Sequence, residues 1–327
     1  MINKNLVLLS YGRNSEYLRA IFCILSFSSW HEHQLNEIRI NVYTDDPDFF
    51  KPYLSHLNIE YISLTPALMK DLLGNTDYFH RRKVGVIDMT FQRFPAEDVI
   101  FIDSDTFFIT GTHQLFATYT PGQSYMHRLE YTLADGLEFF TAFNQQEHPK
   151  AFIDYIAGRE FQIDGQTVIF TKEDYCWNSG VLGLSHTFAK YMPDVFRLTD
   201  AFYANSKWFI SEQLAFGLII QRVSKIQPAE KFVVHYWGKR QKSLFDRLLS
   251  ELFDKSSVKQ IQDPAFLKET TISWNKEYEI DLIMEQAVIA LTHNDWKTGV
   301  KKSIQAILKS PFNQTIYKEL YTAIKPV

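Results

Sequence analysis

Asp103 and Asp105 stand two residues apart in the stretch Asp98 to Ile109, which reads DVIFIDSDTFFI. Two carboxylates so placed repel each other, and a positive charge between them relieves the repulsion. A hard divalent cation that also holds a diphosphate suits such a pair. Further groups able to share that chemistry occur elsewhere in the chain. They are the cationic run His80-Arg81-Arg82-Lys83, the turn Asn178-Ser179-Gly180, the pair Glu212-Gln213, and His235 to Lys239, HYWGK. Each also has an ordinary use. Asn-Ser-Gly is turn chemistry, a glutamate at a helix start complements the dipole, and a histidine among apolar residues is commonly a hydrogen-bonded core group. Arg81 could equally pair with a surface acid.

Positioning these groups takes a particular kind of scaffold. Val99, Ile100, Phe101 and Ile102 form a short apolar run, which fits a central strand of a parallel sheet covered on both faces. Ligands in open α/β sheets sit just beyond the carboxyl ends of such strands, where Asp103 falls. Leu6–Leu9, Ile38–Tyr43 and Ile59–Leu64 read as further buried strands, and Glu16–Trp30 and Asp77–Met89 as helices. The alternation predicts a mostly parallel α/β sheet. Gln123–Leu129 and Lys231–Trp237 read as later strands, with an irregular stretch to about Phe170 between them. Ser211 is placed to cap an apolar helix that opens on Glu212 and Gln213. No glycine-rich phosphate fingerprint is present, which argues against dinucleotide and P-loop enzymes.

From about Lys239 the spacing becomes helical throughout. Arg240–Lys255, Ile280–Thr292, Thr298–Leu308 and Gln314–Ile324 each carry apolar positions at helical intervals. Two units are expected, residues 1–240 and a helical C-terminal region 241–327. Six lysines against Asp295 and Glu319 give residues 295–327 a local charge of about +4. Such basic helices are either a solvated face or a peripheral contact with an anionic membrane surface.

Composition narrows the classes. Net charge of −4 leaves no global basic field for nucleic acid. Cys23 and Cys176 are the two cysteines, too few for a disulfide framework, and both read as small buried hydrophobes. The opening MINKNLVLLS has too short an apolar run for a signal peptide, and no stretch is long enough to span a membrane. A cytoplasmic location is expected, with a peripheral position at the inner membrane face as the variant the basic helices allow.

Taken in order, D-S-D at 103–105, N-S-G at 178–180, E-Q at 212–213 and H-Y-W-G-K at 235–239 resemble the GT-A-fold nucleotide-sugar glycosyltransferases, particularly the family-8-like branch. The resemblance spans roughly residues 1–240. It implies a GT-A domain there and a metal-dependent transfer of sugar from a nucleotide-diphosphate donor, a UDP-sugar first, to a glycan or other hydroxyl acceptor. Asp103, Asp105 and His235 would be the metal ligands, the ion Mn²⁺ or Mg²⁺, with nitrogen ligation favouring Mn²⁺. Tyr11, Arg81, Lys83, Ser104 and Lys239 would contact the donor. Gln213, Glu212 and Asn178 would line the reacting end. Three departures are visible, one being a longer gap from Arg81 to Asp103, with Gln92 to Asp98 as an apparent insertion. The family's closing Lys-Pro-Trp is replaced by Lys239-Arg240-Gln241, so Lys239 or Lys242 would have to supply that phosphate contact, and Glu212 stands where an aspartate is usual.

Transfer with retention is what the resemblance implies, whereas Glu212 acting as a general base would invert. Two rival functions share parts of the pattern. A haloacid-dehalogenase-like phosphatase also begins strand-D-x-D, but on its first strand and with Thr or Val where Phe107 stands. A non-catalytic glycan- or nucleotide-binding protein of the same fold is the other, and an intact Asp103, Asp105 and His235 argues against it.

Overall fold

The computed structural model describes residues 4–31, 35–117, 119 and 122–324. Met1–Asn3 of the terminal reading and Lys325 of the basic tail lie outside the described residues. The chain opens with β1 (Lys4–Leu9), whose Leu6, Val7 and Leu8 are fully buried, and turns through Tyr11 and Gly12 into α1 (Asn14–Trp30). Gly12 adopts φ +89°, a left-handed backbone that favours glycine. α1 is apolar on nearly all sides, and it is buried on all sides because the sheet covers one face and later helices the other. β2 (Ile38–Thr44), α2 (Pro47–Leu54), β3 (Ile59–Ser63) and α3 (Pro66–Leu73) follow. Both of these helices start on proline, and Asp46 and Thr65 cap them by accepting from the Phe49 and Leu68 amides.

α4 (Arg81–Arg93) leads to β4 (Asp98–Ile102) and, across the D-S-D turn, β5 (Thr106–Phe108). Next come β6 (Gln123–Met126), β7 (Leu129–Thr132), α5 (Leu133–Ala142), α6 (Glu147–Ile156) and the hairpin β8 (Glu160–Ile163) and β9 (Gln166–Ile169). β10 (Tyr175–Trp177), β11 (Val181–Leu184), α7 (Met192–Ser206), α8 (Ser211–Val223), β12 (Lys225–Pro228) and β13 (Val233–His235) complete the sheet region. Five helices end the chain: α9 (Lys239–Lys255), α10 (Val258–Ile261), α11 (Pro264–Thr292), α12 (Trp296–Lys309) and α13 (Gln314–Ile324).

The fold is α/β, with a mostly parallel seven-stranded sheet in the order β12-β6-β11-β4-β1-β2-β3. β1 pairs in parallel with both β2 and β4, while β11 runs antiparallel to β4 and β6. After β1 the chain first builds outward through β2 and β3 and then crosses back to place β4 on the other side. The crevice at that switch lies beyond the ends of β1 and β4, where the Tyr11 loop and Asp103 are.

The structure departs from several sequence expectations. The strand expected over 123–129 breaks at His127 and Arg128, which separate β6 from β7. The strand expected over 231–237 narrows to β13, and the Tyr236 amide carries the pairing one residue further by donating to the Asp105 carbonyl at 3.1 Å. Ser211 does not cap α8. It is the first helical residue, its hydroxyl donates to the Trp208 carbonyl, and the Glu212 amide is received by the Tyr78 hydroxyl at 3.1 Å. The stretch read as irregular holds two helices and a hairpin. Of the terminal helices, α9 and the first half of α11 bury Phe245, Leu249, Leu267 and Trp274 in the same cluster as α1. A separate cluster forms only from Ile280 onward, joining α11, α12 and α13 through Met284, Leu291, Ala306, Ile316 and Leu320.

Candidate functional site

Strand pairing brings the distant motifs together. β5 pairs antiparallel with β13, setting His235 opposite Thr106 and beside Asp105. β11 pairs with β4 so that the Asp103 amide donates to the Gly180 carbonyl at 2.9 Å. The D-S-D turn is fastened by the Thr106 hydroxyl, which donates to the Asp103 carbonyl at 2.8 Å. One ligand atom from each of Asp103, Asp105 and His235 then lies within 4.8 Å of the other two. His235 Nε2 is 3.3 Å from Asp105 and 3.7 Å from Asp103. Gly180 makes room for the ring, since a Cβ there would stand 2.1 Å from His235 Nδ1.

The ring has a defined orientation. His235 Nδ1 meets Asn178 Oδ1 at 2.8 Å, and that same oxygen accepts from the Gly180 amide at 2.9 Å. An amide oxygen accepts, so Nδ1 carries the hydrogen and Nε2 is the nitrogen turned to the carboxylates. An imidazole held from behind in this way leaves Nε2 able to serve as a metal ligand.

Two ammonium groups flank the carboxylates. Lys83 of α4 is 5% exposed and reaches Asp103 at 3.2 Å, the Ser179 carbonyl at 2.7 Å and the Ser179 hydroxyl at 2.9 Å. Glu212 lies 3.8 Å from the same ammonium and is also bonded by the Ser179 and Tyr78 hydroxyls. Lys242 of α9 pairs with Asp105 at 2.8 Å. Burial alone would raise the Asp105 carboxyl, but His235 and Lys242 outweigh it and hold the group well below the usual carboxylate range. His127, stacked edge-on to His235, is pushed down to about 3 by burial and by His235, so it is neutral at ordinary pH.

The remaining expected residues divide. Gln213 joins the cluster, its oxygen accepting from the Ser179 amide at 3.3 Å and its nitrogen donating to Glu130 at 3.0 Å. Asn178 is spent on His235, Gly180 and Glu130 and turns no free amide into a pocket. Ser104 donates to Glu16 of α1 at 3.1 Å. Tyr11 lies beneath the Arg82 guanidinium, which also donates to its hydroxyl at 3.0 Å. Arg81 is committed elsewhere: it grips Asp200 of α7 through two nitrogens and donates to the Leu72 carbonyl. Lys239 is exposed at the start of α9, and Lys242, one turn on, is the lysine that reaches the aspartates. Both cysteines are buried and free, and burial pushes the Cys23 thiol up to about 12, as suits an inert core group.

Glu130 and Tyr78 had no sequence signal. Glu130 sits within LEYT, a run with no motif spacing, and becomes visible only when β7 pairs with β10 beside Asn178.

No family model and no curated protein matches the chain. Among solved structures it is similar to the galactosyltransferase LgtC in complex with donor and acceptor sugar analogs, at 13% identity and a TM-score of 0.46 over 77% of this chain and 97% of that one. It is also similar to mouse xyloside xylosyltransferase 1, at 14% identity and a TM-score of 0.44 over 70% and 86% of the two chains. The glycosyltransferase GlyE of Streptococcus pneumoniae is similar at 11% identity and a TM-score of 0.47, over 83% of this chain and 64% of that one.

Proposed function

We propose that this chain is a metal-dependent glycosyltransferase of the GT-A type, moving a sugar from a nucleotide-diphosphate donor, a UDP-sugar first, to a glycan or other hydroxyl acceptor. The observation that carries the reading is the convergence of Asp103, Asp105 and His235 at the switch point of a mostly parallel sheet. The residues present fit a divalent cation. Two oxygens and a correctly turned imidazole nitrogen suit Mn²⁺, with Mg²⁺ the alternative. Asp103, Asp105, Glu130 and Glu212 gather four carboxyl groups around the two ammonium groups of Lys83 and Lys242, a predominantly acidic setting that suits a cation. Bound there, the ion would act as a Lewis acid on the departing diphosphate.

The protein's own groups have complementary parts. Lys83 and Lys242 can turn from the carboxylates to the phosphate oxygens and share the charge that develops as the nucleotide leaves. Tyr11, backed by Arg82, sits at the crevice edge where the nucleotide base would lie, and Ser104 holds the D-S-D turn against α1. Lys239 and Arg81 stand at greater remove: Lys239 is free to meet solvent-side phosphate, and Arg81 braces α4, which carries Lys83. Glu212 is 5% exposed and its oxygens are taken by Tyr78, Ser179 and Lys83. That engagement disfavours a general-base role and suits a fixed negative charge near an oxocarbenium-like centre, beside Gln213, which supports the retaining reading. Asn178 acts through His235.

A thermal-shift panel of nucleotide sugars, each with and without Mn²⁺, tests this reading. The expected result is a rise in melting temperature with one donor class and only when Mn²⁺ is present. No shift with any nucleotide sugar would overturn it, and an inverted anomeric signal in fresh product would overturn the retaining assignment.

Among the described residues no helix is long and apolar enough to cross a membrane. α12 does carry an exposed stripe at four-residue spacing, Trp296, Val300, Ile304 and Leu308, continued by Phe312 at 94% exposure and flanked by Lys297 and Lys301. This stripe suits a peripheral contact with an anionic bilayer. Co-flotation with phosphatidylserine vesicles, but not with phosphatidylcholine vesicles, is expected and is lost in Leu308→Glu. Equal flotation with both, or none, would contradict the contact.

A further inference from the structure

Glu130 belongs to neither the cation ligands nor the cationic flank, yet it touches both sides of the pocket. Its two oxygens accept from two different side-chain amides, Oε1 from Asn178 Nδ2 at 3.1 Å and Oε2 from Gln213 Nε2 at 3.0 Å. A carboxylate in this position only accepts, so both amides must turn their NH₂ groups toward it and their oxygens away. The Asn178 oxygen is thereby aimed at the Gly180 amide and His235 Nδ1, and the Gln213 oxygen at the Ser179 amide. With Nδ1 donating, Nε2 is the ring nitrogen left facing Asp103 and Asp105.

We propose that Glu130 is a positioning residue that sets both amides at once, and through Asn178 fixes which nitrogen His235 presents to the cation. The inference rests on the reading that Asp103, Asp105 and His235 hold a divalent ion. It adds that the metal side and the sugar side of the pocket are oriented by one carboxylate. The Gly180 and Ser179 amides ask for the same orientation from one side, since a flipped side chain would set its NH₂ against their N–H groups, and Glu130 supplies the acceptor that secures it from the other.

Glu130→Gln is the informative change, since it keeps the shape and replaces one acceptor by a donor. The new amide cannot accept from both Asn178 and Gln213, so one NH₂ must face another. Loss of such an orienting partner typically weakens a metal site about 10- to 100-fold, and that is the loss expected in a Mn²⁺ titration followed by electron paramagnetic resonance. Adding Asn178→Asp should restore most of it. The new carboxylate accepts from Gly180, from His235 Nδ1 and from the NH₂ at position 130, whose oxygen then serves Gln213. Nitrogen-15 shifts of the His235 ring, assigned with His235→Gln, are expected to show Nδ1 protonated in the wild type and the double variant, and a mixture in Glu130→Gln. Wild-type affinity in Glu130→Gln overturns the proposal. So does a double variant that binds no better than the single one, which would mean that position 130 merely supports the fold. If the wild type binds no Mn²⁺ at all, the functional reading fails instead, and the ring shifts still decide whether Glu130 orients His235.

Discussion

Asp105→Ala is expected to abolish Mn²⁺ binding at concentrations that saturate the wild type. Asp105 is 6% exposed and sits between His235 at 3.3 Å and Lys242 at 2.8 Å. Loss of an outer-shell partner already weakens a metal site about 10- to 100-fold, so loss of a direct ligand should exceed that. The loss has two parts. The cation loses an oxygen ligand, and Lys242 is freed to turn its ammonium toward the space the cation would fill. Asp105→Asn separates them, because it keeps the shape and an oxygen but removes the charge. It should fall nearly as far as the alanine variant if charge dominates. Because the Asp105 carboxyl is held below the usual range, its charge is present above an ordinary aspartate's titration and is lost only as pH falls through the lower folded value. Mn²⁺ binding by the wild type should therefore be insensitive to protonation of this residue at mildly acidic pH. Titration calorimetry checks both points, and Mn²⁺ affinity unchanged in Asp105→Ala would refute the role.

Lys83→Met is expected to be the most damaging single change to stability in the site. The ammonium makes bonds to Asp103 and to both Ser179 oxygens, and it lies 3.8 Å from the buried Glu212. Methionine fills a similar volume but leaves Glu212 in the interior with the Tyr78 and Ser179 hydroxyls as its remaining partners. Stranding one charge of a buried pair costs about 3–5 kcal/mol. Urea unfolding should show a loss of that size, and the double change Lys83→Met with Glu212→Leu should be less destabilised than the single one. That non-additivity is the signature of a coupled pair. A destabilisation below about 1 kcal/mol, within the range of exposed ion pairs, would show that the charges are solvated instead.

The parts of this site that sequence reveals are those encoded locally. The apolar run Val99–Ile102 predicts a buried strand delivering Asp103, and all four residues are buried in β4. The order of the short motifs anticipates that His235 returns to the aspartates, and the β5–β13 pairing brings it there. What sequence hides is direction. Arg81 and Lys83 are two residues apart on one helix, hence about 200° apart around its axis. Lys83 consequently faces the sheet edge while Arg81 faces α7, and nothing in the run HRRK says which would be which. Glu130 is hidden for a related reason, since its partners Asn178 and Gln213 lie 48 and 83 residues away and meet it only through tertiary pairing. The terminal helices show a third limit. Phe245 and Trp274 have helical spacing whether they pack on one another or on the main core, and the structure puts them against α1 and Phe107.

The convergence of Asp103, Asp105 and His235 opens metal binding to direct observation. Crystals grown with Mn²⁺ and UDP, measured at the manganese edge, are expected to show one anomalous peak within bonding distance of Asp103, Asp105 and His235 Nε2, with Lys83 and Lys242 turned onto phosphate oxygens. A peak elsewhere, or none while both lysines remain on the aspartates, would contradict metal-dependent sugar transfer by this chain.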